Sequence, residues 1–452
     1  MANITPTTDL RVVISNRQIL KIALPISFAI FVPQINFVTN TIFLGGLGEE
    51  SLAAAGITGV SYLLFSVIGL GLNNGLQTLI ARRAGENKTD EIGKLFSQGV
   101  LISLLFAAFS ILFIYIAAPF LFAQILKSET IQAKCVSFMQ IRIWGLPFLY
   151  VYQMRNALLV GTNQSRYLVW GALAETVVNI FFDYGLIYGE LGLPEWGFNG
   201  AAYASILAEL AGMVVVFAVI HYKGLTRRFK LFEKFLLDKR TIQLILKQSS
   251  PLVFQYVLSI TSWHFFYVLV EHHGARALAI STTMRNMFGL FGVFTWAFGA
   301  TTSTMVSNVI GQGMKDQVPW LIKKIVILSV TIGIAFCVVL NLWPRFFLSV
   351  FGQGDDFVTD AIPVVRVVSS ALVIMSFSTV WINAVIGTGN SKVSLAIELI
   401  TIVAYSIYVY TVLEILQLPI TIGWMSEWVY WLITFALSWL YIRSGKWKNK
   451  VI

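Results

Sequence analysis

The sequence predicts an all-α integral membrane protein of twelve transmembrane helices, arranged as two six-helix bundles related by a pseudo-two-fold axis along the membrane normal. Three observations predict this. Of 452 residues, 57% are hydrophobic and only 12% charged, about half the charged fraction with which a soluble domain faces water. Apolar runs long enough to cross a bilayer follow one another along the whole chain, giving a mean hydropathy of +0.76. The second half then repeats the first at one fixed offset.

A helix rising 1.5 Å per residue crosses the hydrocarbon in about 20 residues. Runs of that kind, bounded by charges, fall in the first half at 22–45, 52–80, 95–124, 136–160, 167–189 and 198–221. In the second half they fall at 248–270, 277–310, 321–343, 364–387, 394–416 and 424–443. All greatly exceed the roughly 10 alternating residues of a barrel strand, so they read as helices. The first twenty residues are polar and lack a compact apolar stretch, so no cleavable leader is expected.

Charge sets the orientation. With the N-terminus inside, 24 of the 32 basic residues fall on the cytoplasmic side. The other eight are Lys127, Lys134, Arg142, Arg155, Arg276, Arg285, Arg345 and Arg366. This imbalance predicts cytoplasmic termini. The net charge of +10 is spread over short flanks rather than gathered in a module, which argues against a nucleic-acid partner. Cys135 and Cys337 share no motif spacing, so neither a disulfide framework nor a zinc site is expected. The segment 223–246 interleaves Lys and Arg with Phe229, Leu231, Phe232, Phe235 and Leu236. It reads as a cytoplasmic amphipathic linker on the inner leaflet, dividing a lobe at 1–222 from one at 247–452.

The repeat has an offset of 226. Pro25 meets Pro251, Gly48 meets Gly274, Gly85 meets Gly311, Gly161-Thr162 meets Gly387-Thr388, and Ser165 meets Ser391. Six spans per repeat is an even number, so both halves start on the same side of the membrane. Parallel repeats place a solute pathway between two bundles, which then rock to give alternating access.

Carboxylates inside spans cost at least ~2.5–3.5 kcal/mol and face cavities. In the fifth span Glu175, Asn179 and Asp183 are spaced i, i+4, i+8 on one helix face. Ser205 and Glu209 in the sixth span, and Asn36 and Asn40 with Gln34 in the first, follow the same spacing. Under the offset Asn179 corresponds to Tyr405 and Asp183 to Val409, so this polar ladder belongs to the first half alone. A carboxylate among amide and hydroxyl oxygens suits a proton or a small hard cation. Competition between that ion and a cationic solute for one negative charge is the simplest basis of antiport. The fragment Gly69-Leu-Gly71-Leu-Asn73-Asn74-Gly75 lies inside a span and follows no strand, so it reads as a helix contact rather than a nucleotide loop. Glu271-His272-His273 sits at an outer span end and reads as interfacial, as do Trp428, Tyr430 and Trp431.

Several segments resemble the multidrug and toxic compound extrusion (MATE) family. They are Ala23-Leu-Pro25 through Leu52-Ala-Ala-Ala-Gly56, Arg82-Arg-Ala-Gly85-Glu-Asn, Val160-Gly161-Thr-Asn-Gln-Ser165, Asn179-Ile-Phe-Phe-Asp183-Tyr-Gly, and Gly197-Phe-Asn-Gly200 through Ser205. The resemblance implies a secondary antiporter exporting amphipathic or cationic small molecules in exchange for H+ or Na+, without a cofactor. It also implies an N-lobe ion site, whose fifth- and sixth-span members match Asn179, Asp183 and Ser205. The first-span acid of that site is Asn40 here. The branch with an acid early in the seventh span is not matched, since that stretch reads Phe254-Gln255-Tyr-Val-Leu-Ser259. The expected ion site is therefore Asp183, Asn179, Asn40, Ser205 and Glu175. The expected substrate cavity includes Gln34, Asn36, Tyr184, Glu209 and Gln255. Small-molecule substrates and membrane lipids are the expected partners of a monomer in the bacterial inner membrane. The competing readings are a flippase of lipid-linked precursors, which would use Arg155 and Arg285, and a membrane-embedded lipid-modifying enzyme.

Overall fold

A computed structural model describes residues 10–233, 237–351, 354–450 and 452, apart from the side chains of residues 35, 37, 38, 41, 49 and 52. No strand occurs among them. The first lobe comprises α1 (Asn16–Gly45), α2 (Glu49–Gly85), α3 (Thr89–Ile125), α4 (Glu129–Arg142) continued through a 3₁₀ turn (Ile143–Gly145) into α5 (Leu146–Gly161), α6 (Leu168–Tyr188) and α7 (Phe198–Tyr222). A short α8 (Leu225–Arg228) leads to the second lobe. That lobe comprises α9 (Lys239–Glu271), α10 (Ala275–Gly311), α11 (Val318–Leu342), the short α12 (Pro344–Ser349), α13 (Asp355–Gly387), α14 (Ser391–Val409) with a π-helical extension (Tyr410–Ile415), the short α15 (Ile420–Gly423) and α16 (Ser426–Arg443). These make the twelve expected crossings, the fourth being broken between α4 and α5.

Eight of the described helical stretches are by themselves long and apolar enough to span a membrane. The others are α1, the α4–α5 pair, α6 and α10. Helix α6 falls short because Glu175, Asn179 and Asp183 occupy one of its faces.

The repeat is visible in individual contacts. Gly48 and Gly274 both cap the start of the second helix of their lobe, with φ of 98° and 94°, a left-handed conformation that favours glycine. Ser165 donates to the Lys21 carbonyl at 3.4 Å, and Ser391 donates to the Lys247 carbonyl at 3.5 Å. All four positions are related by the 226 offset.

The lobes meet along α2, α9 and α10. A side chain at Gly71 or Gly75 would strike Val253 or Ser249, one at Gly85 would strike the Asn308 carbonyl, and one at Gly311 the Arg82 carbonyl. The loosely nucleotide-like glycine stretch therefore serves close helix packing. Around it Gln77 Nε2 donates to Thr304 Oγ1 at 2.7 Å, Arg82 Nε to the Ser307 carbonyl at 3.0 Å, and Ser307 Oγ to the Thr78 carbonyl at 2.7 Å. The extended Leu10–Val12 segment lies across this seam, with the Val12 amide donating to Asn308 Oδ1 at 3.0 Å and Gln312 Nε2 to the Val12 carbonyl at 3.0 Å. These contacts sit at the membrane face that carries both chain termini.

Two expectations are corrected. Described residues of the linker form α8, turns and, from Lys239, the start of α9, rather than one amphipathic helix. Phe229 and Leu231 are buried in the first-lobe core, while Lys230 and Phe232 take positive φ and end any helix. Residues 234–236 of the linker lie outside the described residues. Trp428, Tyr430 and Trp431 are not an interfacial belt, because they donate to Ser370, Glu398 and Glu427 within the second lobe.

Gly85→Val should overpack the seam and cost roughly 1–3 kcal/mol, lowering the thermal midpoint of the purified protein. Gly56, with nothing within 4 Å of an added side chain, should accept alanine without loss. Equal midpoints for Gly85→Val and the parent would mean that α2 and α10 do not pack closely there.

Candidate functional site

The site is built where α1 runs beside α6. Thr176 Oγ1 meets the Val32 carbonyl at 3.5 Å, and the Tyr188 hydroxyl donates to the Phe43 carbonyl at 2.7 Å. These pairs differ in number by 144 and 145. The same register sets Asn179 level with Asn36 and Asp183 level with Asn40, each to within about one residue along parallel helices.

Burial makes this alignment consequential. Asp183 is 0% and Asn179 2% exposed. Among the described residues, both Asp183 carboxylate oxygens and the side-chain carbonyl oxygens of Asn36, Asn40 and Asn179 are buried without a hydrogen-bond partner. Five acceptor oxygens on two adjoining helices are thus buried and unpaired. Buried polar groups are ordinarily paired, and each exception calls for an explanation. Oxygen acceptors of this kind match what a proton or hard cation needs.

Helix α7 closes another side. It packs antiparallel to α6, with Gly200 against the Leu186 carbonyl and Gly212 against Glu175. That pairing brings Ser205, partly buried, level with the Phe181–Asp183 turn. Glu175 lies one turn below Asn179, over Gly212.

The remaining expected residues divide. Gln34 is exposed on α1. Tyr184 is 42% exposed and stacks its ring near Phe43 and Tyr188. Glu209 is not an open cavity acid, because Arg142 grips it through both oxygens, at 3.0 and 2.5 Å. Gln255 belongs to the other lobe, where its amide donates to Glu398 Oε2 at 3.2 Å.

Sequence reasoning missed the surroundings of Glu398. This buried acid on α14 accepts from Gln255, from Ser259 at 2.5 Å and from Tyr430 on α16, while Ser394 donates to Gln255. Its signal was available as an acid inside the apolar run 394–416. The offset drew attention to positions 405 and 409 instead. Arg155 donates to the Met213 carbonyl and lies over the Phe217 ring at 3.2 Å. His272 and His273 contact Glu414 and the Leu413 carbonyl, each at 2.8 Å. Among the described residues no group of three or more His, Cys, Asp or Glu could hold a metal ion.

Comparison with known proteins gives a consistent picture. The MatE family model matches residues 25–185 and again 251–411, two segments offset by 226 at both ends. The chain is 27% identical over 278 residues to a probable multidrug resistance protein NorM of Synechocystis, a match covering 60% of each chain. It is 21% identical over 443 residues to a probable multidrug resistance protein NorM of Thermotoga maritima, covering 96% of this chain and 94% of that one. Among solved structures, a MOP superfamily transporter from Pyrococcus furiosus superposes with a TM-score of 0.88 at 18% identity, over 98% of both chains. An outward-facing multidrug resistance transporter also superposes with a TM-score of 0.88, at 17% identity over 98% of this chain and 99% of that one. At such identities the structural likeness speaks for the fold.

Removing the charge at the site should not harm folding. An unsatisfied buried acceptor costs about 1–3 kcal/mol, so Asp183→Asn should hold or raise the thermal midpoint. A clear fall in midpoint would make the carboxylate a structural partner instead.

Proposed function

Because this chain belongs to the MatE family, we propose that it is a multidrug efflux antiporter that exports amphipathic or cationic small molecules in exchange for H+ or Na+. The observation that carries the reading is the set of five unsatisfied acceptor oxygens on α1 and α6, two of them from Asp183. A carboxylate in that position is costly while charged and unaccompanied, so it recruits a proton, a small cation or a cationic solute. Only one of these neutralises it at a time. Exchange follows if the ion enters from one face and the solute leaves by the other. Alternating access is supplied by the two lobes, which meet through the Gly71–Gly85 seam.

In this reading Asp183 couples the driving ion, Asn179, Asn40 and Ser205 furnish neutral oxygens, and Glu175 is a second acid of the pathway. Asn36 lines the same groove. The Lys and Arg bias puts the seam and both termini on the cytoplasmic side of a bacterial inner membrane. The closed seam then corresponds to an outward-open lobe pair, acting as a monomer. The flippase reading draws no support from Arg155, which is enclosed between α5 and α7, or from Arg285, which is exposed with its guanidinium 5.3 Å from the Tyr267 ring.

Proteoliposomes with separately imposed proton and sodium gradients test the reading. The parent should drive efflux with at least one of them, and Asp183→Asn should lose driven efflux by two orders of magnitude or more. Undiminished efflux would remove Asp183 from coupling. Asn40→Asp adds a second carboxylate level with the first and should change the pH profile of transport. An identical profile would mean that the two positions do not share a site.

A further inference from the structure

At the membrane face that carries both chain termini, the start of α1 packs on the 3₁₀ turn (Ser165–Tyr167) that leads into α6. Gln18 Nε2 donates to Asn163 Oδ1 at 2.6 Å, and Ser165 Oγ to the Lys21 carbonyl at 3.4 Å. These contacts bring Arg17 and Lys21 of α1 beside Arg166. Arg166 Nη2 donates to the Tyr167 hydroxyl at 2.7 Å, with its guanidinium carbon 4.7 Å from the centre of that ring. Lys223, just past the end of α7, reaches the same ring, its Nζ 5.8 Å from the centre and 5.2 Å from that of Tyr222. Tyr167 is buried, so it fixes the place of two bases, while all four basic residues are exposed. A cavity of about 380 Å³ opens here, lined by Ser15, Arg17, Gln18 and Lys21.

Four positive charges thus gather without an acid. The ion-paired acids of this face are engaged elsewhere, Glu86 and Glu91 by Arg83 and Lys88, Asp90 by Lys230, Asp238 by Lys94 and Asp316 by Lys448. Among the described residues, none of Arg17, Lys21, Arg166 and Lys223 has a carboxylate within ion-pair distance. Along the same helix faces into the membrane, Lys21 is followed by Leu24 and Phe28, and Arg166 by Trp170, Leu173 and Val177, all exposed at spacings of three and four residues. Tyr222, at the end of α7, is 84% exposed, as suits an aromatic side chain at headgroup depth. The cluster is not part of the repeated frame. Under the 226 offset Lys21 and Arg166 correspond to Lys247 and Lys392, but Arg17 to Gln243, Lys223 to Asn449 and Tyr167 to Val393. We propose that the cluster binds the phosphate of an anionic phospholipid in the adjoining leaflet, with the acyl chains along the exposed stripes of α1 and α6. Basic pockets at the ends of spans suit such headgroups, and a soluble anion would have no use for the apolar stripes. The bound lipid bridges α1, α6 and α7, the helices that carry the candidate ion site. The proposal stands on charge and position and is independent of the export reading.

The experiment is lipid binding to the purified protein, followed by native mass spectrometry with phosphatidylglycerol and phosphatidylcholine offered in equal amounts. The parent should retain phosphatidylglycerol at least tenfold over phosphatidylcholine, and short-chain phosphatidylglycerol should raise its thermal midpoint. The fourfold variant Arg17→Gln/Lys21→Gln/Arg166→Gln/Lys223→Gln should lose both the preference and the midpoint shift. Its substitutions are all exposed, so it should keep the parental midpoint in neutral detergent. The paired variants Arg17→Gln/Lys21→Gln and Arg166→Gln/Lys223→Gln should each lose part of the preference. A control with the same change of charge in the second lobe, Lys247→Gln/Lys323→Gln/Lys392→Gln/Lys446→Gln, should bind like the parent. Equal loss in that control would make the effect one of overall charge, and a parent without preference would mean that no lipid site exists. Either result overturns the proposal. So does an equal midpoint shift with inorganic phosphate at matched ionic strength, which would make the cluster a site for a soluble anion. No readout involves transport, so failure of the export reading would leave these results unchanged.

Discussion

In the hydrocarbon of a bilayer no water is available to complete a hydrogen bond, so every buried polar group must find its partner within the protein. This constraint organises the molecule. It forces the backbone into helices, concentrates polar side chains at helix contacts, and makes any acceptor left alone conspicuous. The unsatisfied oxygens of Asp183, Asn179, Asn36 and Asn40 contrast with the hydroxyls that obey the rule. Serine and threonine hydroxyls within the spans return to carbonyls one turn back, as at Thr58, Thr78, Thr301 and Thr302.

The two lobes share a frame and differ in chemistry. Their common parts are those that set geometry, namely the paired Gly48 and Gly274 caps, the Gly85 and Gly311 approach, and the Ser165 and Ser391 bonds to lysine carbonyls. Both members of each pair do the same structural job. The polar groups at Asn179 and Asp183 do not share the offset, since Tyr405 and Val409 stand there in the second lobe. A rigid symmetric frame lets one lobe specialise without altering how the lobes meet.

Much of this was legible in the chain itself. Span length, the 226 repeat and the i, i+4, i+8 ladder of α6 all follow from local periodicity, which is dictated by helix geometry. The register that brings Asn40 level with Asp183 was implied by resemblance and is seen through the Thr176 and Tyr188 contacts. Pairings across helices were not legible. Arg142 was visible as a basic residue within a span, yet nothing in the order of residues joins it to Glu209, 67 positions away. Nor does the order of residues show that the Arg155 guanidinium lies over Phe217. The linker misled for a related reason. Its alternating Phe and basic residues have the pattern of an amphipathic helix, but Phe229 and Leu231 find a better apolar surface in the lobe core than at the lipid interface.

The contrast between Asp183 and Glu398 separates the two ways of keeping an acid inside a membrane. Both are buried, at 0% and 2% exposure. Glu398 accepts from side chains on α9 and α16, and one of those, Gln255, is itself fixed by Ser394. Such a network strengthens each member and holds a single arrangement. It ties three helices of the second lobe together and leaves little capacity for a visiting ion. Asp183 has the opposite character, since both its oxygens are buried without a hydrogen-bond partner among the described residues. A site of that kind is incomplete alone and becomes complete only when something positive, or a proton, enters. The satisfied acid thus ties its lobe together, while the unsatisfied one is what the proposed exchange would use. One chemical group serves both ends because the number of donors around it differs.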